Sequence, residues 1–327
     1  MSTRAWTIFA AVSTLWGIPY LFIKLAVNGG VTPPVLAWAR VVLGAAMLLA
    51  LAASAGTLRP LRGRWRWIAA YAILEIAIPF PMIAFGEQHV SSSLAAIIIA
   101  SVPLPVALLA LRFDPAERAT GGRLIGLVIG LIGVVVLVGI DATSSLATLL
   151  GAGAIGLAAV GYASGPMILK RHMADLDARA AMGASLALAA LALTPVAALD
   201  LPSKMPSATA LVALVVLGVF CTAIAFALMA VLITEIGPGR AVVITYINPI
   251  VAVALGVAIL GEQPGAGAIA GLLLILAGSW LATDGRLPPG LAGRALSPRH
   301  LQERDDGRPV ARGRRHSQPI LGGQPTP

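Results

Sequence analysis

Charge is what this sequence has least of. Only 11% of its 327 residues are charged, while 58% are apolar; a soluble domain carries roughly a quarter charged residues. The charges are clustered, and the long apolar stretches between them require lipid as solvent. Cysteine is nearly absent. Cys221 stands alone inside an apolar run, so no intramolecular disulfide can form, and it reads as a small buried hydrophobe. No His or Cys cluster has metal-ligand spacing, and the four histidines fall in loops or the C-terminal tail. There is no GxxxxGK followed by Ser or Thr, so ATP-driven transport by this chain alone is not expected. These absences point away from an enzyme, with no cofactor and no metal. A cleavable leader is not expected either, because the first apolar segment is too long and lacks a small-residue cleavage site. The net charge of +9 would suit nucleic acid. However, the Arg and Lys residues sit at the ends of apolar runs and in the tail, where they set membrane topology instead, so no nucleic acid is expected.

A hydrocarbon core about 30 Å thick takes roughly 20 helical residues per crossing. Ten stretches meet that length, approximately 6–27, 34–55, 66–86, 91–111, 121–140, 147–169, 180–199, 208–233, 240–260 and 266–283. The predicted class is therefore an all-α polytopic membrane protein with ten transmembrane helices. The links are short, with Gly or Pro at Asn28-Gly29-Gly30, Pro33-Pro34 and Gly237-Pro238-Gly239, as tight turns between antiparallel helices need. Residues 284–327 are rich in Arg, Gly, Pro and Ser and lack the apolar bulk for a core, so they read as a disordered basic tail.

Two stretches repeat one pattern. ERATGGRLIGLVIGLIGVVVLVG starts at Glu117 and EQPGAGAIAGLLLILAGSWLAT at Glu262, an offset of 145 residues. Gly126 and Gly133 in the first correspond to Gly271 and Gly278 in the second, and each stretch follows a proline-bearing apolar run, at Pro103 and Pro249. Doubled hydrophobic units of this length mark membrane transporters. With ten helices, the termini share a face with Arg4, Arg59, Arg62, Arg64, Arg66, Arg112, Arg118, Arg123, Lys170, Arg171, Arg179 and Arg240; the opposite face has Lys204 and Lys24. That asymmetry places both termini in the cytoplasm. Five helices is an odd number, so the second copy is inserted upside down. The domains expected are residues 1–141 and 142–283, two inverted five-helix repeats, followed by the cytoplasmic tail 284–327.

The order of motifs resembles a family. Leu15-Trp16-Gly17 with Lys24, then Arg40, then Pro103 with Glu117 and Gly126, then Pro249 with Gly261-Glu262 and Gly271 is similar to the EamA-like ten-helix permeases of the drug/metabolite transporter superfamily. The resemblance covers about residues 6–283. It implies a bacterial inner-membrane protein that moves small metabolites, often amino acids or related compounds. The second half lacks the Arg and Lys found at the equivalent places in the first, so any site is asymmetric in charge.

Ionisable groups inside a membrane are costly and each needs a reason. Glu75, midway along the third helix with Tyr71 and Pro79 on its face, reads as a proton-coupling or amine-binding carboxylate, or as a structural partner for Arg40. Arg40 can grip a substrate carboxylate or phosphate, or tie helices together through backbone carbonyls or Glu75. Lys24 can snorkel to the interface, or join Trp16 and Tyr20 in a stripe lining a cavity. Tyr162, Thr222, Tyr246 and Asn248 are the midspan polar groups of the second half. The candidate substrate site is thus Trp16, Tyr20, Lys24, Arg40, Tyr71, Glu75, Tyr162, Tyr246 and Asn248, with Glu75 the proton carrier. Prolines at 79, 81, 103, 105 and 249 free backbone groups that can face a water-filled path. Gly126 with Gly130, and Gly267 with Gly271, form GxxxG pairs that read as helix packing and as a candidate homodimer face. Glu117 and Glu262 read as structural carboxylates at helix starts.

The resulting expectation is a secondary transporter working by alternating access in the lipid bilayer, an exporter of amino-acid-like or other small-molecule metabolites, driven by protons or by the substrate gradient. The alternative is a multidrug or lipophilic-cation exporter. A third reading, a non-transporting scaffold or lipid-modifying enzyme, would need catalytic groups that the sequence does not supply.

Overall fold

A computed structural model describes residues 2–113, 121–137, 145–236 and 244–282; of residues 110–113 and 282 it fixes the backbone alone. Glu117, Arg118, Gly237-Pro238-Gly239, Arg240, the tail from 284 and the Arg112 side chain lie outside the described residues. Among the described residues there is no strand. Ten helical segments follow one another: α1 (Thr3–Asn28), α2 (Pro33–Ser54), α3 (Arg59–His89), α4 (Ser92–Leu109), α5 (Gly122–Leu137), α6 (Leu146–Met173), α7 (Ala178–Leu199), α8 (Ala208–Ile236), α9 (Ile244–Leu260) and α10 (Ala266–Leu281). Seven are long and apolar enough to cross a membrane, and α5, α9 and α10 are shorter apolar helices. Each of the ten predicted stretches falls on one segment. The largest boundary error is at α3, which begins with a 3-10 stretch at Arg59–Arg64 and runs on to His89.

The helix faces are inverted relative to a soluble protein. On α5, Leu124, Val128, Leu131 and Val135 face outward, while Gly126, Gly130 and Gly133 face inward. Large apolar side chains suit lipid, and small residues let helix backbones meet. The inward glycines pack on α10. A Cβ at Gly133 would touch Ile275 N and Leu274 Cβ at 2.8 Å, and one at Gly271 would lie 2.8 Å from Leu137 Cβ. The GxxxG face is therefore occupied within the chain, not left open for a second copy.

The strongest helix pairings are α5 with α10, α2 with α7 and α3 with α6. Exchange each helix with the one five places along, and α2·α7, α5·α10 and α4·α9 map onto themselves. The same exchange turns α1·α8 into α3·α6, α1·α9 into α4·α6, and α2·α8 into α3·α7, all of which are present. The 145-residue offset also holds in the elements. Pro33–Ser54 and Ala178–Leu199 are both 22 residues long and begin 145 apart.

Three segments depart from regular helix just before a proline. α1 breaks at Ile18 before Pro19, α3 changes to π-helix over Ala72–Ala77 before Pro79, and α4 breaks before Pro103. Proline cannot donate to the turn behind it, so regular hydrogen bonding stops there. α8 carries a π-helix at Val216–Ile224 without a proline, which overlies Ala72–Ala77 at the same offset. Pro249 lies inside α9 without ending it. Two main core clusters result, one around α1, α4 and α8 and one around α2, α3 and α7, and Tyr162 of α6 packs against both.

Candidate functional site

Arg40 is 7% exposed, about a third of the way along α2, and is held at two points. Its Nε donates to Thr222 Oγ1 at 2.9 Å. Thr222 in turn donates to Leu217 O at 2.8 Å, five residues back, a reach supplied by the π-helix of α8. The guanidinium lies 4.1 Å over the Phe80 ring of α3, a cation–π contact. Close approach of α2 and α8 is needed for this. Gly44 leaves room for Thr222, and Gly218 leaves room for Leu43.

Glu75 projects from the π-helix of α3 against α6, where Gly165 makes space; a side chain at 165 would collide with the carboxylate. Its Oε2 is buried without a well-formed hydrogen bond. Arg40 and Glu75 therefore do not form the ion pair that was one reading of both, because Arg40 is engaged by Thr222 and Phe80 instead. Tyr162 lies within electrostatic range of both, Tyr71 is near Glu75 and Tyr162, and Tyr20 is near Arg40 and Tyr162. Tyr20, Arg40, Tyr71, Glu75 and Tyr162 are thus brought together, from four helices and both halves. Two cavities, of about 360 and 330 Å³, lie elsewhere: one at His89, Ser93, Thr148 and Gln263, the other at Leu49, Leu61, Arg62 and Trp65. Neither is lined by Arg40 or Glu75.

The other four predicted residues lie apart. Lys24 neither snorkels nor shares a stripe with Trp16; its Nζ donates to Glu87 O at 2.5 Å and Val90 O at 2.8 Å, closing the C-terminal end of α3. A cation there complements the helix dipole. Trp16 stacks edge-on against Phe226 at 5.5 Å in a separate cluster with Leu232 and Ile244. Tyr246 belongs to that cluster, and its hydroxyl reaches Ser279 O at 3.2 Å. Asn248, with its amide turned to satisfy both neighbours, donates to Ser13 O at 3.0 Å and Ile244 O at 2.9 Å, tying α9 to α1.

Glu262 does sit at a helix start, but the helix is α4, not its own α10. Its carboxylate accepts from Ser92 N at 2.7 Å, Ser93 N at 2.9 Å and Ser93 Oγ at 2.5 Å. Burial pushes this carboxyl up, but the Ser93 and Ser92 donors outweigh it and hold it below the usual carboxylate range.

Sequence reasoning missed Glu87 and Phe80. The third predicted stretch ends at residue 86, one short of Glu87, yet Glu87 is fully buried. The signal was present, since Phe80, Ile83, Ala84 and Glu87 are spaced as one helical stripe and all are buried. Cys221 is free and buried, as expected of a small hydrophobe.

Comparison with known proteins agrees with this architecture. The EamA-like transporter family matches the chain twice, over residues 4–139 and 149–283. The chain is 29% identical over 261 residues to the uncharacterized inner membrane transporter YedA of Escherichia coli (strain K12), covering 77% of this chain and 81% of that one. Over 126 residues it is 32% identical to Protein PagO of Salmonella typhimurium, covering 38% and 40% of the two chains. One solved structure, titled only as a crystal structure of a protein, superposes with a TM-score of 0.62 over 87% of this chain and 98% of that one, at 23% identity, a likeness of fold.

Proposed function

Because the chain belongs to the EamA-like transporter family, a family of membrane transporters, we propose that it is a secondary exporter of amino acids or related small metabolites, working by alternating access at a site between its halves. The observation that carries this reading is a buried cation and a half-buried carboxylate, one of whose oxygens is buried, that do not pair with each other. Arg40 is gripped by neutral partners, Glu75 has an oxygen left over, and Tyr162 is within electrostatic range of both. A zwitterion fits that arrangement, with its carboxylate on the Arg40 fork and its ammonium at Glu75. Tyr20 and Tyr71 would line the same space. Glu75 is also the proposed proton carrier when no ammonium occupies it.

The reading takes all ten helices as membrane crossings, with both termini cytoplasmic and the halves inverted. The exchange pattern of helix contacts and the 145-residue offset support the inversion. Two halves facing opposite ways supply a gate on each side of a central site. A homodimer would have to use a face other than the α5·α10 glycines. The test is export: metabolites released by cells overexpressing the chain are compared with those of a deletion strain, and the hits are then measured as flux in proteoliposomes. Glu75→Gln and Arg40→Ala are each expected to lower efflux at least about tenfold. Unchanged efflux in both variants would remove the site from consideration. Drug resistance in the overexpressing strain, without metabolite release, would instead favour a lipophilic-cation exporter.

A further inference from the structure

Among the described residues, Glu87 is the carboxyl with both oxygens buried and unpaired. It is 0% exposed, and neither carboxylate oxygen has a hydrogen-bond partner. A carboxylate in a membrane interior with no donor on either oxygen needs a proton or a cation brought to it. The groups that face it are few. Lys24 and Tyr20 come from α1, Arg40 from α2, and Glu262 from the link before α10. Arg40 is engaged by Thr222 and Phe80, and Glu262 by the start of α4. Lys24 is the remaining cation. Its Nζ is held by the backbone carbonyls of Glu87 and Val90, beside the carboxylate but not bonded to it.

A cavity lies close to this pair, lined by residues next to Glu87 in the chain but by neither member of the pair itself. The cavity of about 360 Å³ is bounded by His89 and Val90, which follow Glu87 in the chain, by Ser93, which bonds Glu262, and by Thr148 and Gln263. It lies at the end of the bundle where α3 gives way to α4. Glu75 lies twelve residues back along α3, roughly 18 Å at helical rise, and does not share this cavity.

We propose that Glu87 is a second proton-binding site of this chain, separate from Glu75, and that Lys24 is the cation that replaces the proton when it leaves. On deprotonation the ammonium turns from the two carbonyls to the carboxylate. The α3–α4 corner then loses a tie between α1 and α3. The assignment rests on the membrane-spanning reading but needs no transported substrate.

The test uses the whole chain reconstituted in liposomes and treated with dicyclohexylcarbodiimide, which reacts with protonated carboxyls in apolar surroundings; peptide mass spectrometry locates the adduct. Glu87 is expected to be modified, with labelling falling about tenfold from about pH 6 to about pH 9, while Glu262, held ionised by its donors, stays unmodified. Lys24→Met should restore Glu87 labelling at about pH 9 by about tenfold, since a neighbouring cation favours the ionised form. Lys24→Arg keeps charge and donors and should follow the wild-type profile. If Glu87 is unmodified at every pH, or modified equally at all of them, or insensitive to Lys24→Met in folded protein, the assignment is overturned. The wild-type profile decides the matter even if a variant fails to fold. Because labelling is read without substrate, a failed export screen leaves this result standing, and the reverse also holds.

Discussion

The two halves share a scaffold and differ in chemistry. Helix lengths, π-helical segments and inward glycines recur at a 145-residue offset. The charges do not. At that offset Arg40 corresponds to Ser185, a buried hydroxyl donating to Ala181 O, and Glu75 corresponds to Phe220, 46% exposed on the outer face. The second half contributes neutral partners instead: Thr222 to grip Arg40, Gly165 to seat Glu75, and Tyr162 within electrostatic range of both. On the proposed reading, doubling accounts for the gates, and divergence within one copy accounts for the site. An inverted pair of identical charges would present the same field to both faces, whereas a single set gives the central space one orientation for a dipolar ligand.

If the scaffold is truly shared, breaking its symmetric seam should cost most. Gly278 packs onto the Gly126 and Gly130 backbone, so Gly278→Leu has no soft neighbour to displace. We expect a loss of about 3 kcal/mol or more, read as collapse of the monodisperse peak in detergent. Gly153→Leu, on an open face of α6 with nothing within 4 Å, should leave it intact. Next comes the site. Arg40→Ala should lower export of the identified metabolite at least about tenfold, the worth of one hydrogen bond to a charged group. Ser185→Ala, at the equivalent place, should leave export unchanged. Equal losses at both positions would break the one-sided reading.

Much of this was legible in the sequence, because lipid imposes coarse rules. Long uncharged runs had to be helices, since a membrane leaves backbone groups no other partner. The repeated Glu-and-Gly pattern carried the pairing, as Gly133, Gly271 and Gly278 meet across α5 and α10. Arg40, Glu75 and Tyr162 were found because midspan polar groups are conspicuous. Lys24 and Asn248 were equally conspicuous, yet both serve backbone carbonyls. Residue type reveals that a polar group needs a partner, but not whether that partner is a ligand or a helix end. Glu87 was missed because the helix was ended three residues early. Glu262 was read against its own helix because sequence order does not show which helix start the link folds back to.

Glu262 gives a smaller prediction about how the copies are joined, for a second-half carboxylate holds a first-half helix. Glu262→Gln should lower detergent thermal stability by about 2 kcal/mol, through loss of charge-assisted bonds to Ser92 and Ser93. Its carboxyl is held below the usual range in the folded chain. Its stabilising contribution is thus present above the unfolded-state pKa and lost as pH falls through the folded one. The wild-type melting temperature should therefore drop on acidification and the Glu262→Gln value should drop less.

The smallest effect separates the paired helices α2 and α7. α7 opens on Asp177, whose Oδ1 accepts from Arg179 N at 2.9 Å and Ala180 N at 3.2 Å. α2 opens on Thr32, whose hydroxyl is turned away to Asp200 O at the end of α7, and its first turn relies on Pro33 and Pro34. Proline there has no N–H to satisfy and is already set to helical φ. Asp177→Ala should cost about 1 kcal/mol as a lost cap. Bonding to the Arg179 side chain and to the Ala180 and Arg179 amides holds the Asp177 carboxyl below its ordinary value against slight burial. Its contribution therefore vanishes as pH falls through that lowered value, and the wild type and Asp177→Ala should converge in acid. Thr32→Ala removes no cap, so its melting shift should be the smaller of the two and the same in acid as at neutral pH. A pH-dependent loss at Thr32 would mean that the two copies start their paired helices by the same device after all.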